Sequence, residues 1–203
     1  MQEARVENGC ATTEAGDWLV GRCQPVACLG SFRLKSLRGF IVPDRACVFA
    51  VTSDGPLHCA SADRPFLTRL DALPDETLAL VSDRLLLAPP SARTGAHNVK
   101  LVPMSFRRVT PVTEFRRGWV IAATRSRVTR RAVGEGETLM VRPEALVAWV
   151  GRDPTGFCPK LGLWDLLLPR GPKNLAYDFH GPCTVWFEGA AEPSARTWRR
   201  CAR

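Results

Sequence analysis

The chain has 203 residues, 45% hydrophobic and 24% charged, with a formal net charge of +8. That balance excludes a disordered or fibrous chain and fits one domain with ample core material. Its longest apolar runs, such as Leu85–Pro90 and Trp119–Ala123, fall far below the roughly 18 residues of a membrane-spanning helix, so no membrane span is expected.

The first residues, MQEARVENGC, carry two Glu and no apolar segment behind their single Arg. No secretory or mitochondrial leader is expected, which points to a cytoplasmic protein. Residues 1–17 read as a flexible N-terminal segment, 18–189 as a β-domain and 190–203 as a basic C-terminal tail. Pro and Gly number 16 each and break the domain into short apolar runs rich in Val, Leu and Phe. Short strands between turn residues predict an all-β sandwich or barrel with little helix.

An internal repeat organises those strands. Asp75–Ala88 aligns without gaps on Gly136–Trp149, 61 residues on, placing Glu-Thr-Leu over Glu-Thr-Leu and Leu85-Leu86 over Leu146-Val147. Ile41–Val51 reads as a weaker third copy against Met140–Val150. Each copy predicts a strand, a polar turn and an apolar returning strand. Three such β-turn-β units, spaced by about 38 and 61 residues, suggest a double-stranded β-helix or jelly roll.

Charge is concentrated between Lys100 and Arg131. Lys100, Arg107, Arg108, Arg116, Arg117, Arg125, Arg127, Arg130 and Arg131 face one acid, Glu114, so this window holds the whole net charge. After the apolar run Trp119–Ala123, Arg125, Arg127, Thr129 and Arg131 share one face of a continuing strand at period two. Such a field attracts nucleic acid or an acidic protein surface. Arg125, Arg127, Arg131, Arg116 and Arg117 are the candidate anion-binding residues.

Gly151–Pro172 reads as a cap or long loop, with Leu161–Leu168 the best short-helix candidate. Trp149 and Trp186 are expected in the core. The eight Cys contain no CxxC pair and sit among apolar neighbours, so they are read as small buried hydrophobes and not as zinc ligands or disulfides. His58, His97 and His180 form no HxH or HExxH pair, which argues against a cupin-like metal enzyme. His180 reads as a hydrogen-bonding turn residue. No catalytic residue, metal ligand or cofactor is identified.

The segment Gly134–Trp149 resembles the G-E-x-L-x-V-x-P-G-x-L-V-A stretch of the altered-inheritance-of-mitochondria family. Phe179–Glu188 resembles that family's closing x-G-x-G-x-V-W/F-L strand. The resemblance covers roughly Trp18 to Gly189 and departs at Glu144 and Cys183, where glycine is expected, so the turns there are expected to differ locally. It implies a TRAP-like fold, after the tryptophan RNA-binding attenuation protein: a short double-stranded β-helix that tends to oligomerise. The family has no established catalytic residues, so none is carried over. The combined expectation is a non-catalytic binding or scaffolding protein, working as a homo-oligomer. The alternative is binding of nucleic acid or another polyanion through residues 100–131.

Overall fold

The computed structural model describes residues 3–21, 24–28, 30–36, 48–100, 109–157 and 176–189. These residues form an all-β protein whose strands fall into four antiparallel sheets. In chain order the strands are β1 (Ala4–Glu7), β2 (Cys10–Thr13), β3 (Gly16–Val20), β4 (Gln24–Cys28), β5 (Phe32–Ser36), β6 (Phe49–Ser53), β7 (Leu57–Ala60) and β8 (Phe66–Ala72). There follow β9 (Leu78–Val81), β10 (Leu85–Ala88), β11 (Arg93–Lys100), β12 (Val109–Phe115), β13 (Gly118–Thr124) and β14 (Val128–Val133). The last are β15 (Thr138–Val141), β16 (Leu146–Val150), β17 (Thr155–Phe157), β18 (Ala176–His180) and β19 (Cys183–Glu188). Among the described residues the helical elements are two three-residue turns, Ser82–Arg84 and Pro90–Ala92.

The sheets repeat. Two complete sheets have the orders β5-β6-β3-β10-β13-β8 and β11-β12-β9-β16-β19-β14, and two smaller ones β1-β2-β7-β4 and β15-β18-β17. In each unit the first, third and fourth strands lie in one sheet, and the second and fifth cross to the preceding sheet. This holds for units β3–β8, β9–β14 and β15–β19 alike. A register break marks the second strand of each unit, at Pro25/Ala27, Leu85/Leu87 and Leu146/Ala148, with successive spacings of 60 and 61 residues. The repeat read from 75–88 and 136–149 is therefore the visible part of a whole six-strand unit.

The third copy belongs elsewhere than expected. The counterpart of β9–β10 and β15–β16 is β3–β4, starting at Gly16. Phe49–Val51 lies instead in β6, which occupies the place of β12 and β18, while residues 41–47 are outside the described set. The match at Ile41–Val51 reflected two apolar strands of similar composition in different roles. The N-terminus also differs from expectation. Residues 4–13 are not a flexible segment but β1 and β2, with β2 paired to β7. Ala11 is fully buried there, which anchors the segment.

Three cores lie between successive layers. One joins Trp18, Val20 and Trp119 to Ala11, Leu57 and Cys59 of the first small sheet. The next joins Leu85, Val120 and Ala122 to Leu78, Leu80, Phe115 and Val147. The last joins Trp149, Leu146 and Val185 to Tyr177 and Phe179. The central strands β9, β10 and β16 of the complete sheets are covered on both faces, so they read as continuous apolar runs rather than alternating ones. On β13, Trp119, Ile121 and Ala123 face one core while Val120 and Ala122 face the other.

Trp149 is in the core as expected, but Trp186 is only partly buried. Of the cysteines, Cys59 is buried, whereas Cys10, Cys28 and Cys183 are partly exposed free thiols. Cys23, Cys47, Cys158 and Cys201, the predicted helix at 161–168, most of the 151–172 loop and the tail at 190–203 are outside the described residues. The described start of that loop contributes β17. Neither Glu144 nor Cys183 takes a positive φ, so both turns are built without the conformation glycine would permit.

Gly21 shows how tightly successive units meet. Its N–H donates to Leu86 O at 3.1 Å, and a Cβ there would lie 1.9 Å from Leu85 O. Gly21→Ala is expected to cost about 1–3 kcal/mol, the range for overpacking, read as a lower urea midpoint; an unchanged midpoint would refute this contact. Tyr177, the single tyrosine, is buried, and its hydroxyl donates to Thr110 Oγ1. Burial pushes its pKa from 10.0 up to about 12 against a smaller opposing effect of that bond. The folded state favours the neutral phenol, so this contribution to stability is complete below pH 10 and is lost as pH rises through about 12. Absorbance titration at about 295 nm follows this residue alone, and a midpoint near the ordinary value would contradict the buried placement.

Candidate functional site

The apolar run of β13 ends at Thr124, whose hydroxyl donates within 3.2 Å of Phe66 O and 2.8 Å of Ser126 O. These bonds close a turn, Arg125–Arg127, through which the chain leaves one complete sheet and enters the other as β14. The expected single strand face of Arg125, Arg127, Thr129 and Arg131 is thus broken. Arg125 and Arg127 lie in the turn, and only Thr129 and Arg131 share a strand face. The hydroxyl of Thr124 offers the backbone a turn in place of a continued ladder.

β14 is the edge strand of its sheet and pairs with β19. Arg131 stands opposite Val185 and Thr129 opposite Phe187, while Arg130 lies on the other face opposite Trp186. The Arg130 guanidinium sits 5.6 Å from the Trp186 ring centroid, a cation–π contact that fixes the side chain without neutralising it. Arg125, Arg127, Arg130 and Arg131 are all exposed.

The acid on the strand paired with this edge is already engaged. Glu188 stands opposite Val128, and its Oε1 lies 2.5 Å from Nη1 of Arg84, a residue 5% exposed. Arg84 also donates to Glu144 O and pairs with Asp83 at 3.6 Å. Asp83 in turn receives Arg64 at 3.0 Å. Burial lowers the Arg84 pKa, opposed by Asp83 and Glu188, while the positive charges of Arg64 and Arg125 lower it further. Arg64, Asp83, Arg84 and Glu188 form a neutral set. Among the described residues no carboxylate pairs with Arg125, Arg127, Arg130 or Arg131.

Arg116 and Arg117 do not join this group. They occupy the β12–β13 turn, at the opposite end of the seven-residue β13, which spans about 20 Å at 3.3 Å per residue. Arg116 Nε donates to Thr77 Oγ1 at 2.6 Å, and Arg117 has a φ of 53°. Arg107, Arg108 and the Lys100 side chain are outside the described residues. Among the described residues the basic window therefore falls into two separate groups, and the larger is the β14 edge with its preceding turn.

Sequence reading missed a cluster around His97. Its Nδ1 lies 3.1 Å from Glu114 Oε1 and its Nε2 3.0 Å from Asp153 Oδ2. Asp153 Oδ1 accepts the Trp149 indole N–H at 3.3 Å. Three strands and a loop distant in sequence supply these groups, so spacing along the chain held no signal. Each imidazole nitrogen meets a different carboxylate, an arrangement that ties β11 and β12 to the loop after β16. Among the described residues no set of His, Cys, Asp and Glu is arranged to hold a metal ion. His180 ends β18 rather than lying in the following turn, and its Nδ1 is 3.2 Å from Oγ1 of its cross-strand partner Thr138.

An open depression of about 590 Å³ lies at one end of the second complete sheet, lined by Asp75, Glu76, Thr77, Gly151 and Cys183 among others. Burial pushes the Cys183 thiol pKa up, which keeps it protonated and weakly nucleophilic. Asp75 and Glu76 are exposed to solvent on its rim.

No protein-family model and no curated protein matches the chain. Among solved structures, the crystal structure of protein SPYM3_0169 from Streptococcus pyogenes superposes with a TM-score of 0.68 at 14% identity, covering 98% of each chain. At that identity the likeness concerns the fold.

Replacing Arg84 by Met leaves Glu188 without its buried partner, and a loss of about 3–5 kcal/mol is expected in urea unfolding. Adding Glu188→Leu should restore much of it, since both charges then leave the interior. A single-variant loss below about 1 kcal/mol would show that the pair carries little.

Proposed function

We propose that this protein is a non-catalytic binding module whose β14 edge receives a polyanionic partner. The observation that carries the reading is the set of four exposed arginines, Arg125, Arg127, Arg130 and Arg131, which pair with no carboxylate among the described residues, Glu188 being held by Arg84. Four guanidinium groups so placed repel one another, and an anionic ligand lowers that repulsion while giving up its own counterions. Arg130 and Trp186 add a face on which a planar base stacks. The repeated six-strand unit supports reading the domain as TRAP-like, in line with the family resemblance of Gly134–Trp149 and Phe179–Glu188. Fold likeness alone carries no function, so the proposal stands on the arginine edge.

Fluorescence anisotropy with a labelled single-stranded RNA measures it. Four phosphate contacts give a log–log salt slope of about −3. Arg125→Ala, Arg127→Ala, Arg130→Ala and Arg131→Ala combined should bring the slope close to zero, while Arg116→Ala with Arg117→Ala leaves it largely intact. Salt-independent binding, or wild-type binding by the fourfold variant, would sink the proposal.

A further inference from the structure

The cluster around His97 is built on both sides of the ring. Glu114 stands opposite Gly95, two residues before His97, and a Cβ on Gly95 would lie 2.6 Å from Glu114 Oε2. The missing side chain gives that carboxylate room to reach Nδ1, from which its Oε1 lies 3.1 Å away. Asp153, 3.0 Å from Nε2 through Oδ2, is oriented through its other oxygen, which accepts the Trp149 indole N–H. Nε2 is shielded from water, so Asp153 and not solvent answers it.

Among the described residues Glu114 and Asp153 are the charged groups in contact with the ring. The other charges along these segments are Arg93 and Lys100 at the two ends of β11, and the exposed Arg152 before Asp153. β11 is the edge strand of its sheet, so no second strand pairs beside it.

The proton count of the ring decides whether both contacts hold. A neutral imidazole has one N–H and one lone pair, so one carboxylate meets a donor and the other a lone pair. The imidazolium turns an N–H and positive charge toward both. When that proton leaves, the two sides respond differently. Glu114 is fixed in β12, which pairs with β11 on one side and β9 on the other. Asp153 lies in the loop between β16 and β17, its side chain 53% exposed, and is free to turn to water.

We propose that His97 is a proton-controlled latch on the loop 151–154: the charged ring holds Asp153 and the neutral ring releases it. This loop leads directly into β17, the three-residue edge strand of the last small sheet, so the latch governs how firmly that edge is held. The latch is closed on the acid side of the imidazole range, while the carboxylates remain ionised, and opens as the pH rises through that range. It uses none of the β14 arginines and stands independently of polyanion binding.

Hydrogen exchange of the full-length protein at about pH 5.5 and about pH 8.5, either side of the ordinary imidazole value near 6.5, tests it. Rates are expressed as protection factors, which removes the intrinsic pH dependence of exchange. The segment 151–157 is expected to lose protection on the order of tenfold at the higher pH, the size of one charge-assisted contact. His97→Ala should leave the segment weakly protected at both values. Asp153→Asn should be protected at the higher pH, because its amide N–H donates to the neutral ring while its oxygen keeps the Trp149 bond. Equal protection of the wild-type segment at both values would overturn the proposal. A wild-type response in Asp153→Asn would overturn it as well, by placing the titrating group elsewhere.

Discussion

Between Leu87 and Val20, and again between Ala148 and Leu80, the first strand of one unit meets the second strand of the next. Everything else in the molecule depends on that short antiparallel contact. It converts separate three-strand halves into complete sheets, and so places a unit's apolar strands where both faces can be covered. Without it, Leu19 and Ala79 would expose the face that now packs into a neighbouring core. A register break precedes each contact on the second strand, whose remaining residues also pair with the first strand of the preceding unit.

The same junctions organise the electrostatics. Arg84 sits in the turn between β9 and β10, and it bonds to Glu144 in the corresponding turn of the following unit and to Glu188 at the end of β19. A guanidinium this deeply placed is tolerable only because carboxylates and a carbonyl surround it. Glu188 is thereby engaged, and among the described residues no carboxylate pairs with the exposed arginines of β14 and of the preceding turn. A structural need in the interior thus leaves a field at the surface.

The free edges of this fold are treated unequally. β14 carries Arg130 and Arg131, and their charge discourages another strand from pairing there. β15 and the second half of β4 carry none.

Much of this was legible in the residues themselves. Strand content followed from turn residues between short apolar runs, and the Glu-Thr-Leu match revealed a period of 61 because equivalent turns impose the same local chemistry. The resulting turns are indeed alike, with Glu76 N–H donating to Leu73 O and Glu137 N–H to Gly134 O. The concentration of charge at 100–131 was equally visible. The break at Arg125–Arg127 was not, since it depends on Thr124 reaching Phe66 O on a neighbouring strand. The third unit was misplaced because β3–β4 shares a role with β9–β10 but little of its sequence. His97 meets Glu114 and Asp153 only after three strands assemble. Composition and local turn chemistry determined that the chain is a repeating β-protein with one basic stretch. Which arginines stand free, and which strand edges stay open, was decided by long-range pairing, because sheet partners distant along the chain choose both.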